Sequence, residues 1–166
     1  IACLHIVTME IIKGDKLQTS YFAIGIYKPK TAHNIGSLWR TAYIMGAQYI
    51  FLIDKRYTKQ GSDVLNTWSR IPLFQFKTFE EFYSAIPYNS QLVGVELDDK
   101  AEELQTFEHP RRGIYILGAE DGGLPKEYRE KCHHLVKLPG NYSMNVAVTG
   151  SIVLYDRLAK TGEEPR

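Results

Sequence analysis

The sequence predicts an α/β fold: a mainly parallel sheet with helices on both faces. Two observations carry this. Six short apolar runs rich in branched and aromatic residues alternate with segments of helical period. Several of those runs are apolar almost throughout rather than alternating, as strands buried on both faces are. The length, 166 residues at 44% hydrophobic and 23% charged, suits one globular domain.

The elements follow in order. Residues 21–27 (YFAIGIY) read as a strand, and 28–33, with Pro29, as a loop. Asn34 is a good cap for a helix whose apolar positions are Ile35, Leu38, Trp39, Ala42 and Met45, with Gly46 as its stop. Residues 49–53 form a buried strand, 54–63 a polar basic loop and 71–77 another strand. Thr78 with Glu81 makes a capping box for a short helix to about Ile86. Two continuous apolar strands, 91–97 and 113–119, are followed by a proline-started helix at 125–131. Residues 135–138 are a last strand, and 143–160 the longest helix, with Ser143 as cap. Residues 21–166 are thus expected to form a single domain. Residues 1–20 have no clear period and lack the charged start and apolar core of a secretory signal; Met9 is an alternative start within them.

Composition removes several function classes. No apolar run approaches the roughly 18 residues of a membrane span. Cys3 and Cys132 cannot form a disulfide scaffold and suggest a reducing, cytoplasmic setting. The contiguous run Cys132, His133, His134 is poorly spaced for converging on one metal, so no metal site is expected. The net charge is +1, but it is unevenly spread. Residues 28–59 hold six Lys/Arg against Asp54, a balance of +5, and residues 80–108 hold eight acids against Lys100, a balance of −7. A polyanion would meet one face. Lys55, Arg56 and Lys59, with Tyr57 among them, are the candidate RNA-contacting group.

Ligands in such sheets bind beyond the carboxyl ends of the strands, at the loops 28–34, 97–101, 118–125 and 138–145. Three of these are compositionally specific. The first carries Asn34, Gly36 and Arg40 near a helix start. The second reads Gly118-Ala119-Glu120-Asp121-Gly122-Gly123-Leu124-Pro125, neither a dinucleotide fingerprint nor a Walker loop. The third reads Pro139-Gly140-Asn141-Tyr142-Ser143-Met144-Asn145-Val146, followed by a helix face kept small by Ala147, Gly150 and Ser151. Each alone is compatible with an ordinary capped turn.

Together, over residues 21–160, they resemble the three ordered motifs of the SPOUT-class RNA methyltransferases, in particular the TrmH-like (SpoU) ribose methyltransferases. Asn34, Arg40, Thr41 and Ala42 match the first motif. Gly118, Glu120, Gly123 and Leu124 match the second. Pro139, Gly140, Ser143, Asn145 and Val146 match the third, with Met144 in place of Leu. The stretch between Pro139 and Ser143 is shorter than in many relatives.

The resemblance implies a C-terminal trefoil knot, which general rules of chain topology would not suggest. It implies S-adenosylmethionine as cofactor and methylation of a ribose 2′-oxygen in tRNA or rRNA by a homodimer. It assigns Asn34, Arg40, Glu120, Ser143 and Asn145 to catalysis. It places the cofactor against Val95, Glu96, Leu117, Gly118, Glu120, Gly122, Leu138, Met144, Asn145 and Ala147. Arg40 is either the base or a phosphate clamp; a guanidinium gives up its proton with difficulty. The alternatives are a non-catalytic RNA-binding protein of the same fold and an enzyme methylating a base.

Overall fold

A computed structural model describes residues 20–57 and 67–166. Seven strands form one sheet in the order β3-β2-β1-β6-β4-β7-β5, and every pairing is parallel. The strands are β1 (Tyr21–Tyr27), β2 (Ile50–Ile53), β3 (Leu73–Phe76), β4 (Gln91–Val95), β5 (Glu102–Glu103), β6 (Arg112–Leu117) and β7 (His134–Lys137). The helices are α1 (Ala32–Ile44), α2 (Phe79–Ser84), α3 (Lys126–Arg129) and α4 (Val146–Thr161).

Strand alternation sorts the side chains onto two cores. Phe22, Ile24, Ile26, Ile50, Leu52, Tyr115 and Leu117 face α1 and α4, packing with Leu38, Trp39, Val153 and Leu154. Ala23, Phe51, Ile53, Leu92, Ile114 and Ile116 face the other way, against Phe79 and Phe82 of α2 and Tyr128 of α3. Gly25 is required by a close approach: a Cβ there would lie 2.2 Å from the Phe51 carbonyl oxygen on the neighbouring strand.

The expected parallel α/β architecture is present, with three differences. A seventh strand, β5, extends the edge beside β7. It is two residues long, Glu102–Glu103, and both are exposed, so its sequence carries no burial pattern to read. Helix α1 starts earlier than expected: Thr31 is the cap, its hydroxyl accepting from the Asn34 amide at 3.3 Å. Asn34 is therefore inside the helix, and its side chain is free for other partners. Helix α4 starts later: Asn145, not Ser143, caps it, its side-chain oxygen accepting from Ala147 N (2.9 Å) and Val148 N (3.3 Å). Helix α1 ends as expected, with Gly46 (φ +92°) just beyond it, and α4 ends at a left-handed Gly162 (φ +67°).

A buried cation ties the base of the fold together. Arg157 is fully buried on the core stripe of α4. Its Nη1 donates to Pro110 O (2.7 Å) and the Tyr115 hydroxyl (3.0 Å). Its Nη2 donates to Ser20 Oγ (2.7 Å) and Glu163 Oε1 (2.7 Å). Every side of the fork is met, as a buried charge requires. Among the described residues no helix is long and apolar enough to cross a membrane.

Candidate active site

The carboxyl ends of β4, β6 and β7 converge on a cavity of about 260 Å³. Its walls are residues 95–97, 117–120, 137–139 and 142–146, with Gly123 and Thr149. The second and third of the specific loops therefore meet here, although α3 and β7 separate them in the chain. Val95, Leu117, Leu138 and Val146 are buried and give an apolar floor, while Glu96 and Glu120 contribute carboxylates.

The second loop is built around Glu96. Its Oε2 accepts from Leu124 N at 2.6 Å, and its Oε1 accepts from Leu97 N at 3.1 Å. The turn closes on itself through Ala119 N to Gly123 O (3.1 Å) and Gly123 N to Ala119 O (2.8 Å). Gly118 and Gly123 must both be glycine. A Cβ on Gly118 would lie 2.6 Å from the Gly123 carbonyl carbon, and one on Gly123 would lie 2.3 Å from Glu96 Oε2, at φ +62°. Asp121 on the outside pairs with Lys30.

The first loop joins the other two by side chains. Asn145 Nδ2 donates to Asn34 Oδ1 at 3.0 Å, and Asn34 Nδ2 donates to Glu120 Oε1 at 2.9 Å. Because Asn145 Oδ1 is taken by the start of α4, its amide orientation is fixed, and Asn34 must then turn its own Nδ2 to Glu120. This relay holds one carboxylate oxygen of Glu120 and ties three sequence-distant segments at one end of the sheet.

Most of the expected site residues meet at this place. Val95, Glu96, Leu117, Gly118, Glu120, Leu138, Ser143, Met144 and Asn145 line the cavity, and Asn34 touches it through Glu120. Two do not. Gly122 is exposed and points away, and its neighbour Gly123 forms the wall instead, because the left-handed turn falls one residue later. Ala147 faces a groove between α1 and α4, since α4 begins at Val146 and turns that position outward from the cavity. Arg40 is exposed on α1, lines neither the cavity nor the groove, and makes no hydrogen bond or ion pair among the described residues. Of the basic group, Lys55 and Arg56 are exposed just after β2, and Lys59 lies outside the described residues. Tyr57 is half-buried, with its ring edge-on to Trp39 of α1 at 5.6 Å. Lys137 and Thr149 are wall residues that lie outside the loops singled out from the sequence. Thr149, one turn into α4 from Asn145, had helical spacing as its signal.

The run at 132–134 divides its side chains among separate tasks. Burial pushes the Cys132 thiol up to about 12, and its Sγ bonds the Tyr128 carbonyl. His133 Nδ1 accepts from Leu92 N (2.9 Å), and His134 Nε2 lies 2.7 Å from Gln91 Oε1.

The sequence profile of the SpoU rRNA Methylase family matches residues 21–155. A tRNA (cytidine(34)-2′-O)-methyltransferase of Ancylobacter novellus is 25% identical over 150 residues, covering 84% of this chain and 93% of that protein. A Mycoplasma genitalium protein described as a tRNA (cytidine(34)-2′-O)-methyltransferase is 28% identical over 151 residues, covering 82% and 89%. Among solved structures, an AdoMet-bound rRNA methyltransferase from Sinorhizobium meliloti superposes with a TM-score of 0.75 at 21% identity; the match covers 85% of this chain and spans 57% of that one. A structure concerned with 2-OH methylation of C/U34 on tRNA gives 0.73 at 23% identity, covering 87% and 99%. With more than half of its length matched by the family profile, and the three loops that carry the motifs joined at one end of the sheet, this chain belongs to the SpoU rRNA methylase family.

Proposed function

We propose that the protein is an S-adenosylmethionine-dependent 2′-O-methyltransferase of structured RNA, with tRNA ahead of rRNA as its substrate. The observation that carries this is the relay from Asn145 through Asn34 to Glu120, which joins all three motifs beside one cavity. Coverage supports tRNA: the two tRNA-modifying relatives match over nearly their whole length.

The cavity suits the cofactor chemically. Val95, Leu117, Leu138 and Val146 offer apolar surface for a purine, and the carboxylates of Glu96 and Glu120 favour a sulfonium cation. When bound, the cofactor supplies an electrophilic methyl carbon, so a ribose 2′-oxygen gains the O–C bond as the S–C bond breaks and the hydroxyl proton leaves. The protein aligns and keeps water out. Glu120, held on one oxygen by Asn34, has its other oxygen for the incoming ribose or the cofactor. Ser143, exposed on the rim, offers a hydroxyl to the same space. Arg40 clamps the phosphate beside the target ribose with its planar fork. Lys55 and Arg56, exposed just after β2, would add further positive charge for the RNA backbone.

A homodimer completes the site. The α1/α4 groove is open, and Val148, Ile152 and Tyr155 along it are 50%, 37% and 65% exposed. Such a stripe suits a second copy in an isologous pair. Arg40 lies away from its own cavity, which supports its service to the partner's. A knotted C-terminal path belongs to the same proposal: β7 takes its place outside β4, and α4 then returns to pack on α1, the crossing that such a path needs. A cytoplasmic location follows from a tRNA substrate.

The test is methyl transfer from labelled S-adenosylmethionine to bulk tRNA from a strain lacking this gene, followed by digestion to nucleosides. A 2′-O-methylnucleoside is the expected product. Label on a base, or no label at all, overturns the assignment.

A further inference from the structure

At the mouth of the cavity, on the loop between Pro139 and Asn145, Tyr142 is 89% exposed. Its hydroxyl makes no hydrogen bond, and its ring meets no other ring or cation among the described residues. A tyrosine ring in water forgoes the large apolar burial that aromatic residues ordinarily gain. Tyr88 is exposed to the same degree, 87%, but it precedes β4 and so stands at the amino end of the strands, away from the cavity. Tyr142 is thus distinguished by place: an unpartnered aromatic face beside the proposed methyl-donor site. Met144 (45% exposed) and Leu97 (37% exposed) extend the same apolar lip.

Resting on the reading given above, we propose that Tyr142 is the platform on which the base of the methylated nucleotide stacks, so that the substrate nucleotide is an unpaired one turned out of its helix. With the cofactor in the cavity, the base of an entering nucleotide would rest outside it, and the lip offers an apolar surface there. Aromatic side chains hold splayed RNA bases in this way, whichever base is present, because every base has a π-face. A nucleotide inside a duplex keeps its base stacked and paired and has no face to give the ring.

The experiment first maps the nucleotide methylated by the unaltered protein in bulk tRNA from a gene-deleted strain. It then uses a short RNA hairpin carrying that nucleotide unpaired, and the same RNA annealed to a complement that pairs it. Tyr142→Phe should keep activity within about twofold. Tyr142→Ala and Tyr142→Leu should raise the KM for the hairpin about tenfold or more, the scale of one lost base–aromatic stack. Their affinity for S-adenosylmethionine by calorimetry should stay within about twofold. Tyr88→Ala should match the unaltered protein, and the annealed RNA should be a poor substrate. An unchanged KM in Tyr142→Ala, full rescue by Leu, or equal methylation of the annealed RNA overturns the proposal. A parallel loss of cofactor affinity would give the ring to the cofactor and overturns it too. If the unaltered protein binds cofactor but labels no RNA, it is the methyltransferase reading that has failed.

Discussion

Two residues of the first loop separate positioning from chemistry. Arg40 is exposed and its side chain makes no hydrogen bond or ion pair among the described residues, so replacing it should cost little stability. We expect Arg40→Ala to lower methyl transfer by at least a hundredfold while leaving cofactor binding, measured by calorimetry, almost intact. Arg40→Lys keeps the charge but loses the planar fork, and should also be poor. Turnover near normal in Arg40→Ala would make it an ordinary surface residue. Asn34 is the reverse case. It is buried, and its amide donates to Glu120 while its oxygen receives Asn145. Asn34→Ala removes both hydrogen bonds, but Glu120 and Asn145 are exposed and can turn to water, so it should cost about 1 kcal/mol of stability. Asn34→Asp should be worse at neutral pH, since it sets a second carboxylate against Glu120. Like charges raise carboxylate pKa values, so protonation on acidification relieves the folded state. The deficit of Asn34→Asp relative to the unaltered protein should therefore shrink between pH 7 and pH 5 in denaturant titrations; a constant deficit would refute the contact.

At the scale of elements, α4 is fixed by its core stripe. Gly150 sits inside it, where alanine would ordinarily gain about 1 kcal/mol of helix propensity. A Cβ there would lie 2.5 Å from Leu38 Cδ1 and 3.0 Å from Leu117 Cδ1, in a core where Leu38 is 1% exposed and has no room to move. Overpacking costs about 1–3 kcal/mol, so packing wins over propensity. Gly150→Ala should lower the denaturation midpoint, and a raised midpoint would mean that α4 stands further from the sheet. The base of the same helix holds a titrating group. His109 lies between the Tyr115 hydroxyl (Nδ1, 2.7 Å) and Asp156 (Nε2, 2.9 Å), with Arg157 and Lys160 nearby. Burial holds its imidazole below the ordinary range, with Arg157 and Lys160 adding to this and Asp156 opposing it. The unfolded chain thus takes up the proton more readily. This contribution to stability is complete above about pH 6.5 and is lost as pH falls through the lower folded value. Denaturation midpoints should drop from pH 7.5 to pH 5. His109→Gln should drop less, although it starts lower; an equal drop would place the titration elsewhere.

At the scale of the whole molecule, the assembly decides how Arg40 reaches a cofactor. The mixing test uses two inactive parents. Arg40→Ala lacks the clamp. Gly118→Val drives a side chain into the Gly123 backbone and should abolish cofactor binding. If Arg40 serves the partner's cavity, a mixed dimer holds one intact composite site and activity reappears on mixing. If it acts within its own chain, every site in the mixture lacks a part and activity stays at zero. A monomer by light scattering at micromolar concentration would refute the dimer itself.

The same scales separate what the sequence determined from what folding decided. The strands, the parallel sheet and the three loops were legible because they rest on local signals: apolar runs, glycine stops and capping residues within a few positions of one another. The motif order then carried the family. Caps were less legible. Asn34 and Ser143 have good cap chemistry, but Thr31 and Asn145 took those roles, since several polar residues near a helix start compete and packing of the helix against the sheet chooses among them. Arg157 repeats on the stripe Val146, Gly150, Val153 and gave no hint of burial by residue type; only its enclosure by Pro110, Tyr115, Ser20 and Glu163 accounts for a charge there. Likewise, no spacing rule links Glu96 to Leu124, or Asn34 to both Glu120 and Asn145, which lie 86 and 111 residues away. Those contacts arise because a parallel sheet carries the ends of β1, β4, β6 and β7 to one edge, and that edge exists only once the chain has folded.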